Sequence, residues 1–132
     1  MPDVNYLAVL LCGVSSLVLG GIWYAPPVLG RAWQRGTGLT EESMAGGSMA
    51  MIFGLAFLLS LLAASVFALF LGRGMPLGPS VAAGAAAGFC WVGASFGISY
   101  LFERRSFALW LINAGYHTVQ FTLFGVILGL MG

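Results

Sequence analysis

The sequence predicts an all-α, polytopic membrane protein with four transmembrane helices in an up-down-up-down bundle. In 132 residues, 60% of the chain is apolar and only 7% is charged, which is too little charge to cover the surface of a soluble domain of this size. The apolar residues also fall into four stretches. Each stretch matches the roughly 20 residues that a helix needs to cross about 30 Å of hydrocarbon.

The four predicted helices cover residues 4–24, 48–71, 79–102 and 107–131 of a single membrane domain, 1–132. A membrane β-barrel would instead show alternating segments of about 10 residues. The first stretch is too long for the apolar core of a signal peptide and has no basic residues before it, so we predict a retained helix. The second and third connections are short, which predicts that consecutive helices are antiparallel neighbours.

The arginines predict the orientation of the chain. Four of the five follow helix 1 or helix 3, at Arg31, Arg35, Arg104 and Arg105, and Arg73 follows helix 2. Because arginine-rich loops stay in the cytoplasm, we expect the loop over 25–47 to be cytoplasmic and both termini to lie outside. We expect a bacterial inner membrane as the location.

The loop over 25–47 has a predicted structure of its own. Two prolines end helix 1, and the segment VLGRAW is predicted to lie in the membrane interface, with Trp33 toward lipid and its arginines toward phosphates. Thr40 is a predicted N-cap, followed by Glu41 and Glu42 in the first helical turn, where the helix dipole favours acidic side chains.

Small residues indicate where helix backbones approach each other. Helix 2 carries them at an unbroken spacing of four, at Ala56, Ser60, Ala64 and Ala68. Helix 3 carries two glycine pairs, Gly84 with Gly88 and Gly93 with Gly97. At about 100° per residue, the two pairs point to nearly opposite faces. We therefore expect helix 3 to contact two neighbours, one of them in another subunit of a homo-oligomer.

Helix 4 gathers its polar residues on one face. A helical wheel places six residues there: Ser106, Trp110, Asn113, Tyr116, His117 and Gln120. Lipid contact would leave several of their donors and acceptors unpaired, at several kcal/mol each. The face is therefore predicted to point inward, and its residues are the first candidates for a ligand-binding site.

His117 lies about ten residues into its helix, roughly 15 Å deep and close to the membrane midplane. Two interpretations are open. In one, Asn113, His117 and Gln120 only hydrogen-bond neighbouring helices, at about 0.6–2 kcal/mol each. In the other, the histidine is a ligand or proton site, as convergent polar groups at membrane depth often are.

Further site candidates lie outside this face. Glu103 ends helix 3, where an ion pair with Arg31, Arg35 or Arg104 would fix the loop. Aromatic residues near the helix ends are typical of an interfacial belt, here Trp23, Tyr24, Trp33 and Trp110. Trp91 differs because it lies mid-span beside Cys90, where it is a candidate for lining a cavity.

The sequence shows no other recognisable chemistry. Cys12 and Cys90 lie inside helices and are predicted to pack as small apolar residues. One histidine and no exposed cysteine pair give no metal-ligand spacing, so we predict no metal and no cofactor. There is no phosphate loop, nucleophile elbow or carboxylate pair, and too little positive charge for nucleic-acid binding.

Four segments together resemble a known family: NYLAVLL, WYAPPVLGRAW, GLTEE and LFERRSFALWLINAGYHTV. They look like the small bacterial and fungal membrane proteins grouped as domain of unknown function 1761, over nearly the whole chain. The family pattern falls on Trp23, Tyr24, Pro26, Gly30, Trp33, Phe102, Glu103, Trp110, Asn113, Gly115, Tyr116 and His117. Pro27 and Val28 depart slightly from it. The resemblance implies a four-helix membrane fold and assigns no activity.

Three functional hypotheses follow. In the first, the protein binds or passes a small or lipid-like molecule through an intramembrane polar site, lined by Asn113, Tyr116, His117, Gln120 and Trp91. In the second, it is a small membrane enzyme that uses His117 as acid or base, assisted by Glu103 or Tyr116. In the third, it is an accessory subunit of a larger membrane complex. The expected partners are membrane lipids and further copies of the chain, and the sequence identifies no catalytic residue.

Overall fold

The computed structural model describes residues 4–39 and 49–132, and this part of the chain is helical with no strand. Four helical spans are long and apolar enough to cross a membrane: span 1, Tyr6–Trp23; span 2, Ala50–Leu71; span 3, Leu77–Glu103; and span 4, Phe107–Met131. The predicted all-α fold with four membrane helices is therefore confirmed. The up-down-up-down order of all four spans stays a prediction.

Span 4 is the central element, because it packs against span 1 on one side and span 3 on the other. At one end, the side-chain amide of Asn5 donates to the carbonyl oxygen of Met131 at 3.0 Å, which joins the start of span 1 to the end of span 4. Asn5 also caps span 1 by accepting a hydrogen bond from the amide of Ala8 at 3.2 Å. Phe124 and Leu128, both buried in span 4, lie at the centre of the core.

A π-helical turn, Pro26–Gly30, follows span 1 and leads into a short helix, Arg31–Thr37. Only glycine fits at position 30, because a Cβ there would overlap the carbonyl oxygen of Tyr24. The short helix packs on the start of span 4, where Gly36 lies against Leu109.

The structure gives the exposure of the side chains in the VLGRAW segment, which was predicted to lie in the membrane interface. Trp33 is half-buried and packs edge-on against the Tyr24 ring at 5.6 Å, and its predicted contact with lipid stays a prediction. Arg31 and Arg35 are exposed, as expected for side chains that face phosphates. The predicted cap at Thr40, and the glutamates that follow it, lie outside the described residues.

Span 3 is not a uniform α-helix. Its α-helical ends, Leu77–Ala86 and Ala94–Glu103, are joined by a π-helical segment, Ala87–Gly93. In a π-helix the hydrogen bonds run from i to i+5, so each residue turns the chain less than in an α-helix. The second half of the span is therefore rotated relative to an unbroken α-helix.

The prediction that the two glycine pairs point to opposite faces is wrong for this reason. Gly84 and Gly88 lie against the backbone of span 4, where a Cβ would meet the carbonyl oxygens of Phe121 and His117. Gly93 and Gly97 lie against the same span, next to the side chains of Ala114 and Trp110. All four glycines therefore face span 4, but only Gly84 and Gly88 lie against its backbone.

Span 2 packs mainly on span 1, through the buried part of its small-residue stripe, Ser60, Ala64 and Ala68. It makes few backbone contacts with span 3, although the loop between them is short. Phe67 of span 2 instead packs edge-on against Phe121 of span 4 at 5.8 Å, and the two rings occupy the space between the spans. Spans 2 and 3 are thus not the packed neighbours that the short loop predicts, and a groove lies between them.

Candidate functional site

Asn113 joins three parts of the chain at one end of the polar face. The Tyr24 hydroxyl donates to its Oδ1 at 2.6 Å, and its Nδ2 donates to the Tyr100 hydroxyl at 2.7 Å. Burial, followed by the charges of Tyr116 and Tyr100, raises the pKa of Tyr24, so its phenol stays protonated and remains a donor. Asn113 therefore links the end of span 1 to the end of span 3.

A second group of bonds lies about one turn further along span 4 and reaches span 1. The Tyr116 hydroxyl donates to the carbonyl oxygen of Ser16 at 2.9 Å. The Gln120 Nε2 donates to the Ser16 hydroxyl oxygen at 2.9 Å, and both of these residues are buried. The predicted inward direction of the polar face is thus what the structure shows, and most of its groups are paired within the chain.

His117 has one ring nitrogen paired and one unpaired. Its Nδ1 lies 2.7 Å from the Gln120 Oε1, and an amide oxygen only accepts, so this contact places a proton on Nδ1. No partner for Nε2 is found among the described residues. Within the same part of the chain, no fully enclosed side-chain nitrogen or oxygen lacks a partner, so Nε2 reaches the molecular surface.

The imidazole ring is held between two aromatic rings. Phe96 of span 3 stacks on it with centroids 5.1 Å apart and planes inclined by 12°. Tyr116 meets it edge-on at 4.9 Å. These contacts and the Gln120 bond fix both the position and the tilt of the ring.

The indoles of Trp23 and Trp110 both donate hydrogen bonds within the chain, and their predicted place in an interfacial belt stays a prediction. The Trp23 indole donates to the carbonyl oxygen of Ile112 at 2.9 Å. The Trp110 indole donates to the carbonyl oxygen of Gly93 at 2.8 Å, at the last residue of the π-helical segment. Ser106 accepts from the amide of Leu109 at 3.1 Å and so caps span 4. These residues therefore have structural partners in the described chain.

Glu103 does not join the polar face. It is exposed and bonds to Arg105 at 2.7 Å, not to the three arginines that the sequence suggested. Arg104 adopts a left-handed conformation with φ of 59°, which turns the chain so that Arg105 returns toward Glu103. The hydrogen bond from Arg105 to Glu103 raises the pKa of the guanidinium, which also lies 5.7 Å from the centre of the Tyr100 ring.

Trp91 lies away from the polar face and is 69% exposed. It lines the groove between spans 2 and 3, which has a volume of about 690 Å³. The walls of this groove are almost entirely apolar, and Phe121 of span 4 lies at its base. Trp91 therefore lines a groove, but this groove is apolar and is not lined by the residues of the polar face.

A second depression, of about 390 Å³, continues from the first along span 3. Trp91 lines both, and the second adds two serines and Phe96, the residue stacked on His117. Five of the span 3 residues that line this surface follow a spacing of four, at Ala83, Ala87, Trp91, Ser95 and Ser99, and the others are Ala86, Cys90, Val92 and Phe96. We call the two depressions together the lateral groove. The spacing of this stripe is visible in the sequence, but its alanines and serines are common in membrane helices and do not by themselves indicate a groove.

The lateral groove changes in polarity along its length. Its wider part is lined by alanines and aromatic side chains, and its narrower part ends at Ser95 and Ser99. Both serines are exposed, and the described residues offer their hydroxyls no hydrogen bond. No three His, Cys, Asp or Glu side chains come together to hold a metal ion anywhere in residues 4–39 and 49–132.

Four apolar spans around an internally bonded polar face define a small α-helical integral membrane protein. The chain belongs to the family described as protein of unknown function (DUF1761), whose model matches residues 7–129. This membership confirms the resemblance seen in the sequence. No curated protein matches the chain, and no solved structure does.

Proposed function

We propose that the protein binds a single-chain, lipid-like amphiphile in the lateral groove. The observation that carries the proposal is the continuous change along span 3 from an apolar wall to two exposed serines beside the ring stacked on His117. An amphiphile has the same change along its length. Its apolar chain would lie between spans 2 and 3, and its polar group would lie at Ser95 and Ser99.

The apolar part of the groove has the size and lining of a ligand site. Its volume of about 690 Å³ lies within the roughly 300–1,000 Å³ of small-molecule sites. Ala83, Ala86 and Ala87 leave the space open on the span 3 side, while Phe70 stands on the span 2 side. Filling the groove with an apolar chain would restore the dispersion contacts that the separated spans lack.

The test is native mass spectrometry of the protein released from mild detergent, with two matched variants. Ala86 and Ala82 are both exposed alanines in span 3, but only Ala86 lines the groove. We expect the wild type and Ala82→Phe to retain an added mass of lipid-like size, and Ala86→Phe to lose most of it, because the ring would fill the groove.

Retention of the same mass by Ala86→Phe would contradict the proposal. A dimer in Ala82→Phe that becomes a monomer in Ala86→Phe, without added mass in either, would also contradict it. That result would show a second copy of the chain in the groove.

The hypothesis of a membrane enzyme has less support. The Tyr116 hydroxyl is committed to Ser16, and Glu103 is exposed and paired with Arg105, so neither suggested assistant acts on His117 in this structure. Binding requires no such assistant.

We also propose that the protein forms a homo-oligomer in a bacterial inner membrane, with both termini outside. The exposed arginines Arg31 and Arg35 at one end of span 4 support the orientation. The same mass spectra give the subunit number. Labelling from outside the cell of a cysteine placed at Gly132, but not at Gly38, in a Cys90→Ala background would agree with this orientation, and the reverse would contradict it.

A further inference from the structure

We propose a second site, at the turn between spans 3 and 4, that binds the phosphodiester headgroup of an anionic phospholipid. A depression of about 300 Å³ lies at this turn, and we call it the turn pocket. It shares no lining residue with the lateral groove, so this inference does not depend on the amphiphile proposed above. Its lining includes two residues of the turn and four of the spans: Arg105, Ser106, Gly97, Tyr100, Phe107 and Trp110.

Arg105 is held in place at the pocket but keeps hydrogen-bond donors free. Its Nε donates to Glu103 Oε1 at 2.7 Å, and its guanidinium carbon lies 5.7 Å from the centre of the Tyr100 ring. The Tyr100 hydroxyl accepts from Asn113 Nδ2 at 2.7 Å, so span 4 fixes the ring under the guanidinium. The two terminal nitrogens of Arg105 have no hydrogen bond to any residue that the structure describes. Such a pair of nitrogens can bind two oxygens of one phosphate.

Ser106 adds a third donor beside this pair. Its Oγ accepts from the amide of Leu109 at 3.1 Å, and its hydroxyl proton has no acceptor within residues 4–39 and 49–132. The hydroxyl can therefore donate to a headgroup oxygen while it still caps span 4. Glu103 does not leave the turn without positive charge, because the exposed Arg104 balances it. One free guanidinium matches a phosphodiester, which offers two free oxygens and a single negative charge.

The turn pocket extends from the membrane surface into the apolar region. Arg105 lies between Glu103, the last residue of span 3, and Phe107, the first residue of span 4, where the phosphates of a bilayer are expected. Gly97 lies roughly 9 Å deeper along span 3, at 1.5 Å per residue. The rings of Phe107 and Trp110 stack at 5.6 Å and form an apolar wall. A phosphate at Arg105 would thus leave the start of an acyl chain against these rings, which a soluble phosphate cannot use.

The experiment compares dioleoyl phosphatidylglycerol with dioleoyl phosphatidylcholine, which share acyl chains and a phosphodiester but differ in net charge. Each lipid is titrated into delipidated protein in mild detergent, and bound lipid is counted by native mass spectrometry. We expect the wild type to bind phosphatidylglycerol about tenfold more tightly, because the choline cation is repelled by Arg104 and Arg105. Arg105→Gln should lose this preference. Arg104→Gln is the matched control and should keep most of it, because it removes the same charge from the same turn but does not line the pocket.

Each contrary result would overturn a defined part of the inference. Equal binding of the two lipids by the wild type would overturn it without any variant. Equal losses in Arg104→Gln and Arg105→Gln would show attraction to the charge of the turn and not binding in the pocket. Loss of phosphatidylglycerol from Ala86→Phe would place this lipid in the lateral groove, whereas its retention there would keep the two sites separate. Displacement of the lipid by inorganic phosphate at constant ionic strength would show that the site binds phosphate and not a lipid. Circular dichroism of each variant checks that it is folded.

Discussion

The replacement Gly84→Ala tests the closest helix contact in the structure. A Cβ at position 84 would overlap the carbonyl oxygen of Phe121 and lie 3.2 Å from the Cα of Thr122. Both are backbone atoms in the middle of span 4, so they cannot rotate away as a side chain would. Spans 3 and 4 would have to separate, and the packing of both glycine pairs would loosen together.

The expected cost follows from two opposing effects. Overpacking of this kind costs about 1–3 kcal/mol, and the higher helix propensity of alanine offsets up to about 1 kcal/mol of that. We therefore expect Gly84→Ala to lower the free energy of unfolding by about 1–2 kcal/mol. The assay is reversible unfolding in mixed micelles with increasing sodium dodecyl sulfate, followed by circular dichroism.

Gly78→Ala is the matched control, since it lies in the same span and its Cβ would meet nothing within 4 Å. It should unfold like the wild type or slightly later, because only the gain in helix propensity remains. If Gly84→Ala were as stable as Gly78→Ala, spans 3 and 4 would not be in backbone contact, and the explanation of the glycine pairs would be refuted.

Two further replacements test the bonds that span 4 makes. Asn113→Leu removes two hydrogen bonds to other parts of the chain and should lower the free energy of unfolding by about 1–3 kcal/mol in the same assay. Thr118→Val is the control and should lower it by less than about 0.5 kcal/mol, because the Thr118 hydroxyl bonds within its own helix. Equal losses in the two variants would contradict an interhelical role for Asn113. Trp110→Phe removes the hydrogen bond to the Gly93 carbonyl and should speed amide hydrogen exchange over Ala94–Glu103. Trp91→Phe is the control and should leave the exchange rate unchanged. Unchanged exchange in both variants would show that Trp110 does not stabilise the π-helical segment.

The spans and the direction of the polar face could be predicted because they depend on composition and on period. A run such as Phe107–Met131 has to form its backbone hydrogen bonds internally in lipid, which fixes it as a helix. At about 100° per residue Asn113 and Gln120 lie about 20° apart, so they share one face of an α-helix, and that face has to find partners. The partners themselves, Tyr24, Tyr100 and Ser16, could not be derived from the sequence, since they depend on how three spans are rotated.

The π-helical segment is the reason why the helical wheel gave the wrong direction for the two glycine pairs of span 3. The stretch AGFCWVG contains nothing that distinguishes it from an α-helix by composition. Its register is set by tertiary contacts near its two ends: Gly88 lies against the backbone of span 4, and the Trp110 indole donates to the carbonyl oxygen of Gly93. A wheel drawn at 100° per residue therefore separated glycines that the folded chain brings to one face.

The lateral groove could not be predicted from the sequence, because it too depends on tertiary contacts. A short loop between spans 2 and 3 favours close packing, and that expectation considers only chain connectivity. Phe67 and Phe121 fill the space on the span 4 side of the gap, so the two spans meet these rings before they meet each other. The separation of spans 2 and 3 therefore depends on the volume of the Phe67 side chain and of Phe121 from span 4.

The central place of span 4 also has a consequence for biosynthesis. The ribosome completes spans 1 and 3 before span 4, yet the groups of Ser16, Tyr24 and Tyr100 find their interhelical partners on span 4. Until that last helix enters the membrane, these polar groups face lipid, the translocon or an insertion chaperone. A nascent chain halted before Phe107 would lack these partners, so water, lipid headgroups or another protein would have to bond the three polar groups.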